Sequence, residues 1–190
     1  MGELAGLVLC GGRSSRMGRD KALLEIEGEP LVRRVARLLA EAACPVILAP
    51  GTPGRLGELG MAEVEDELPD SGPLGGIVAG LAASPSSLLA VVAVDMPMAS
   101  PAVFRLLASL HGDEDAVVPV TSSGPQPLHS VYSVDALGAL RTCLSEGRLR
   151  LTDALARLRV RVVMEDEWAV ADMTGRFAVN LNAETDLAAL

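Results

Sequence analysis

Several residue types are scarce in this chain, and each scarcity excludes something. Its 190 residues contain two histidines, three cysteines and four aromatic residues, one Trp, one Tyr and two Phe. Lys21 is the only lysine, against fifteen arginines. With only His111 and His129, a multi-histidine metal site is excluded. Cys10, Cys44 and Cys143 are odd in number, widely spaced and form no C-x-x-C pair, so free buried thiols are expected rather than zinc ligands or a disulfide framework. The longest strongly apolar stretch, 88–94, stops at Asp95, far short of the roughly 20 residues that span a bilayer. No basic segment precedes an apolar one at the start of the chain, so no secretory signal is expected and the default location is cytoplasmic, without membrane association. A net charge of −9 with few aromatics speaks against a nucleic-acid binder, which shows a broad basic face and stacking rings.

What is present fits one domain spanning 1–190, long enough to bury a core. The apolar run 4–10 closes on glycines, as a buried strand feeding a glycine-rich loop does. Residues 30–43 place Leu31, Val35, Leu38, Leu39 and Ala42 on one face with Arg33, Arg34, Arg37 and Glu41 between them, the period of a helix, with Pro30 near its start. The alternation continues with strands at 45–49 and 62–65, a Gly/Pro loop at 50–60, and a turn at 69–72. A helix at 74–83, a strand at 88–94 and a helix at 101–110 follow. Beyond 115 come strands at 116–120 and 128–132, helices at 134–145 and 151–158, and a strand at 159–164. A last strand or loop at 177–182 and a docking helix at 184–190 complete the reading. Strands alternating with helices predict an α/β fold, a mostly parallel central sheet with helices on both faces.

Spacing dismisses the familiar nucleotide and hydrolase motifs. There is no Walker A sequence, because Arg19-Asp20 stands where Lys-Ser/Thr is needed, and no G-x-G-x-x-G, G-x-S-x-G or H-E-x-x-H. The remaining feature is the loop Leu9-Cys10-Gly11-Gly12-Arg13-Ser14-Ser15-Arg16-Met17-Gly18-Arg19-Asp20-Lys21. Glycines let backbone N–H groups approach phosphate oxygens, and cations stabilise charge that builds on phosphate during transfer. A solvated loop with ordinary arginines is the plain alternative. The lone lysine weighs for a site, since ammonium and guanidinium are not interchangeable at phosphates. Asp95 ends an apolar strand, where ligands of open α/β sheets bind, and is either a Mg²⁺ ligand or a turn and helix-capping aspartate. Asn180 and Asn182 alternate, so an extended segment puts both amides on one face. The acidic runs 113–115 and 165–167 read as solvated turns, and the glycines of 72–76 as either an anion-binding helix start or packing residues.

The segment L-C-G-G-R-S-S-R-M-G-R-D-K-A-L-L resembles the signature of the molybdenum cofactor guanylyltransferase family. Further matches follow in order at Glu65-Asp66, Gly72-Pro73-Leu74-Gly75-Gly76, Val94-Asp95-Met96-Pro97, Gln126-Pro127-Leu128-His129 and Val179-Asn180-Leu181-Asn182. The resemblance implies a Rossmann-like nucleotidyltransferase domain that joins GMP from GTP to the terminal phosphate of molybdopterin and releases pyrophosphate. It implies nucleotide contacts from Leu9, Cys10, Gly11, Gly12, Lys21, Asp66 and Asp95. Arg16 and Lys21 are then expected on the triphosphate, Mg²⁺ on Asp95, Asn180 and Asn182 at the substrate, where an amide can touch metal, phosphate or pterin, and the 126–129 segment toward the pterin. GTP and molybdopterin are the implied partners, with molybdopterin-supplying and molybdoenzyme-maturation proteins around them. Two departures stand out: Ala49-Pro50-Gly51 fall where members often carry an asparagine of the base site, and Cys10 replaces a common alanine. A molybdopterin cytidylyltransferase, a related nucleotidyltransferase and a non-catalytic cofactor carrier remain alternatives.

Overall fold

In the computed structural model, which describes residues 4–11 and 20–181, the first apolar run forms strand β1 (Leu4–Leu9). A two-strand hairpin, β2 (Glu25–Ile26) and β3 (Glu29–Pro30), leads into helix α1 (Leu31–Ala40) and strand β4 (Val46–Ala49). Helix α2 (Gly72–Ala83), strand β5 (Leu88–Ala93) and helix α3 (Pro101–Ser109) follow, then strands β6 (Ala116–Thr121), β7 (Gly124–Pro125) and β8 (His129–Ser133). Helices α4 (Leu137–Ser145) and α5 (Leu151–Leu155), strand β9 (Val160–Val163) and the one-turn helix α6 (Glu165–Trp168) complete the described order.

Seven of the described strands form one sheet in the order β4-β1-β5-β8-β6, with β7 and β9 both on β6. Strand β1 runs parallel to β4 and β5, β9 runs parallel to β6, and β8 lies antiparallel between β5 and β6. The mostly parallel sheet expected from the sequence is therefore present, with β8 as its main reversed strand. Every residue of β5 is buried, as a strand covered on both faces requires. One face carries Val8, Leu48, Val92 and Val131 against α1, α3 and Trp168. The other carries Leu7, Leu9, Val91 and Tyr132 against α2, α4 and α5. On α2, a Cβ at Gly76 or Gly80 would lie 2.6 Å from a methyl of Leu9 or Leu7 respectively. These glycines set how closely the helix lies on β1, which favours the packing role for them.

Pro30 stands at the N-cap of α1, near the helix start as expected, and pairs with Glu25. Three elements differ from the sequence reading. Segment 62–65 makes a single bridge, Glu63 to Leu48, rather than a strand. Ser133 Oγ accepts from Asp135 N–H at 3.2 Å, so the turn Val134–Ala136 is 3₁₀ and α4 starts later. The acidic run 165–167 forms the first turn of α6, where negative charge suits the helix N-terminus. The docking helix expected at 184–190 lies outside the described residues, and Cys44 is exposed, unlike the buried thiols of Cys10 and Cys143.

His129 is fully buried. Its ring stacks on Phe104 at 3.9 Å and leans on Phe177 at 4.7 Å, and Nε2 accepts from the N–H of Ser100 at 3.1 Å. Burial pushes its pKa down to about 3. An unfolded histidine gains its proton near pH 6.5 and the folded one does not until about pH 3, so the unfolded chain binds more protons across that window. Stability from this group is complete above about pH 6.5 and falls as the pH drops, by about 2 kcal/mol at pH 5. Denaturant unfolding at pH 7 and pH 5 should show this loss, and His129→Phe should remove most of the difference between the two.

Candidate active site

The site follows from how three parallel strands end. Leu9 is in register with Ala49 of β4 on one side and Ala93 of β5 on the other. The segments after them, Cys10-Gly11, Pro50-Gly51 and Val94-Asp95, therefore leave the sheet side by side at its carboxyl edge. Ligands of open α/β sheets bind at that edge.

Lys21 arrives there on a 3₁₀ turn, Lys21–Leu23, capped by Asp20, whose Oδ1 accepts from Ala22 N–H at 3.0 Å. Its Nζ lies 3.4 Å from Asp95 Oδ2 and donates to the carbonyl of Leu181 at 2.5 Å. Leu181 in turn donates its N–H to the carbonyl of Asp95 at 2.8 Å. The three residues close a ring that joins the 3₁₀ turn carrying Lys21, the end of β5 and the C-terminal segment. The Lys21 and Asp95 side chains keep 22% and 29% of their exposure, so an arriving solute can reach both. An ion pair that exposed is worth no more than about 1 kcal/mol, which makes it easy for a polyanion to displace.

Around Cys10 the backbone is already engaged. The N–H groups of Cys10 and Gly11 both donate to the carbonyl of Ala49, at 2.9 and 3.0 Å, and the Leu9 carbonyl accepts from Val94 N–H at 3.0 Å. Gly11 and Gly51 pass so closely that a Cβ on either would meet the other's Cα at 3.2 Å. Burial raises the Cys10 thiol to about 12, and its Sγ rests 3.3 Å from the Val8 carbonyl. It is a packing thiol, not a nucleophile. Arg55, in the loop after β4, donates to the Cys10 carbonyl at 2.6 Å and to the Pro50 carbonyl at 3.1 Å, and pairs with Asp20.

Asp66 lies across the start of α2, its carboxylate oxygens 3.4 and 3.8 Å from the Cβ positions of Gly75 and Gly76. Among the described residues Oδ1 is buried without a hydrogen-bond partner, and burial raises the carboxyl above its ordinary value. A buried acceptor left unpaired costs free energy unless a donor reaches it. Ser71 does not supply one, because its hydroxyl bonds the Leu68 carbonyl at 2.6 Å.

Of the residues singled out in the sequence, Leu9, Cys10, Gly11, Lys21 and Asp95 converge on the carboxyl edge. Asn180 is exposed and adjoins Leu181 in the ring around Lys21. Gly12, Arg16 and Asn182 lie outside the described residues. In the 126–129 segment, Gln126 Nε2 donates to Thr121 Oγ1 and to the Gly124 carbonyl, both at 3.0 Å, and His129 is enclosed. Arg55 and the Leu181 backbone were not singled out, although Arg55 is the one charged residue between Ala49 and Leu56. No group of three or more His, Cys, Asp and Glu side chains able to enclose a metal occurs among the described residues.

Residues 6–162 match the family described as the MobA-like NTP transferase domain. A protein of Pelotomaculum thermopropionicum named probable molybdenum cofactor guanylyltransferase is 36% identical over 97% of this chain and 90% of its own length. One of the same name from Opitutus terrae is 38% identical over 89% of each. Among solved structures, molybdopterin-guanine dinucleotide biosynthesis protein A from Archaeoglobus fulgidus superposes with a TM-score of 0.86 at 23% identity, covering 97% of this chain and 95% of that one. At that identity the likeness concerns the fold.

The unpaired Asp66 carboxylate yields a stability test. Its charged form is disfavoured in the folded chain, so its penalty is absent well below pH 4 and grows as the pH rises. Asp66→Asn should therefore melt at a higher temperature than the wild type at pH 8, and the gain should shrink as the pH is lowered toward 4.

Proposed function

Because the chain belongs to the MobA-like NTP transferase family, we propose that this nucleotidyltransferase transfers GMP from GTP to the terminal phosphate of molybdopterin, the reaction its relatives' names describe. The observation that carries the reading is the meeting of Lys21 with Asp95 at the carboxyl ends of β1 and β5. A cation and a carboxylate on one edge suit a nucleoside triphosphate and its divalent cation.

An oxygen of the molybdopterin phosphate forms a bond to the α-phosphorus of GTP in line with the leaving group. The bond from that phosphorus to the bridging oxygen breaks, and pyrophosphate departs with the electron pair. No protein nucleophile is required, because positioning and charge neutralisation carry phosphoryl-type transfer. Lys21 has three N–H donors and places two on Asp95 and Leu181. On nucleotide binding it turns to the triphosphate, whose charge we assign to Arg16 as well. Asp95 fits Mg²⁺, which binds through one or two carboxylates plus substrate phosphates and needs no enclosed cage. When bound, that cation supplies neutralisation of the phosphate oxygens.

Asp66 offers its buried acceptor to a hydroxyl of the nucleotide. We assign the segment from Leu9 through Gly12 to the nucleotide and Asn180 and Asn182 to the substrate. In the same reading the protein works in the cytoplasm, between proteins that supply molybdopterin and those that mature molybdoenzymes.

Purified protein incubated with Mg²⁺, molybdopterin and each nucleoside triphosphate in turn should release pyrophosphate fastest with GTP. A preference for CTP would overturn the substrate, and tight cofactor binding with no release under any nucleotide would point to a carrier. Chelation by EDTA should abolish release. Lys21→Ala should lower kcat by about 100-fold or more, the scale of losing one group that stabilises developing charge. Transfer by that variant at the wild-type rate would sink the assignment.

A further inference from the structure

Arg55 lies outside the sequence motifs and contacts neither Lys21 nor Asp95, yet it touches both flanks of the segment that precedes Lys21. One nitrogen donates to the Cys10 carbonyl at 2.6 Å, Nε donates to the Pro50 carbonyl at 3.1 Å, and Nη1 pairs with the Asp20 carboxylate. These acceptors lie around one planar fork, a geometry that guanidinium satisfies and a single ammonium does not. The loop that delivers Arg55 is itself fixed. Gly51 packs on Gly11, and Gly54 N–H donates to Glu63 Oε2 at 2.9 Å.

Asp20 is the link to the chemistry. One of its oxygens caps the turn through Ala22 N–H at 3.0 Å, and its carbonyl accepts from Leu23 N–H at 3.0 Å. The other oxygen belongs to Arg55. We propose that Arg55 is a positioning residue for nucleotide binding, which fastens Asp20, and through it the turn carrying Lys21, to the backbone beyond β1 and β4. It also neutralises a carboxylate adjacent to the triphosphate-binding lysine. Without Arg55, Asp20 is free to compete for the Lys21 ammonium and to repel the incoming polyanion. The proposal rests on the guanylyltransferase reading for the identity of the nucleotide.

The test compares Arg55→Ala, Arg55→Lys, Asp20→Asn and the double variant in the full chain. Mg²⁺-GTP affinity is measured by calorimetry, KM for GTP and for molybdopterin by pyrophosphate release, and melting temperature by circular dichroism. Arg55→Ala should weaken GTP binding about 10- to 100-fold, the scale of hydrogen bonds to a charged group, while KM for molybdopterin stays within about twofold. Arg55→Lys should recover only part of the loss. Adding Asp20→Asn to Arg55→Ala should restore most of the GTP affinity, because the unpaired carboxylate is then gone. Wild-type GTP affinity in Arg55→Ala would overturn the proposal. So would equal increases in both KM values with a lowered melting temperature that Asp20→Asn does not relieve, since that is the signature of a plain structural brace. If the wild-type chain binds CTP and not GTP, the substrate reading fails on its own, and the same comparison made with CTP still decides the role of Arg55.

Discussion

The flush ending of β4, β1 and β5 is the constraint from which the site follows. Parallel register places Leu9 opposite both Ala49 and Ala93, so the loops that leave these strands are forced into contact. Cys10 and Gly11 then share the Ala49 carbonyl, and Val94 returns its N–H to Leu9. A shift of one residue in either pairing would turn every side chain of the shifted strand to the other face of the sheet and expose a fully apolar set to the wrong helices. Core packing therefore fixes the position of Asp95 at the rim more strongly than any bond that Asp95 itself makes.

The rim is then held from behind. The Leu128 carbonyl accepts from Ala93 N–H at 3.0 Å and His129 accepts from Ser100 N–H, so the turn containing Asp95 is anchored at both ends by one short segment ahead of and within β8. The His129 ring touches Phe177, and Phe177 meets the edge of Trp168, whose Nε1 donates to the Val120 carbonyl at 2.8 Å. Four residues after Phe177 the chain reaches Leu181 and bonds Asp95 and Lys21. One reversed strand thus organises both the end of β5 and the C-terminal approach to it.

The order of elements and the sheet faces were legible because buried parallel strands read as continuous apolar runs and α1 has a clear helical period. Lys21 and Asp95 were legible because each breaks a pattern: one is the lone ammonium, the other ends the longest apolar run. The features that escaped the sequence depend on carbonyls and on chain crossing. Nothing in the composition of residues 50–56 says that Arg55 reaches back to Cys10, nor that the Leu181 peptide sits between Lys21 and Asp95. The reversal of β8 was equally hidden, since a buried antiparallel strand between two others carries the same apolar signature as a parallel one.

Two basic residues near the rim divide their tasks by geometry. Arg55 holds several fixed acceptors at once, which a planar fork does well. Lys21 holds Asp95 and the Leu181 carbonyl through a compact group on a flexible stem, and in the proposed reaction it exchanges them for phosphate oxygens. An arginine at position 21 would lock into the Asp95 carboxylate with two parallel bonds and resist that exchange. In the proposed reaction the residue that must let go is the lysine, and the residue that must not is an arginine, in a chain that uses arginine at all its other basic positions.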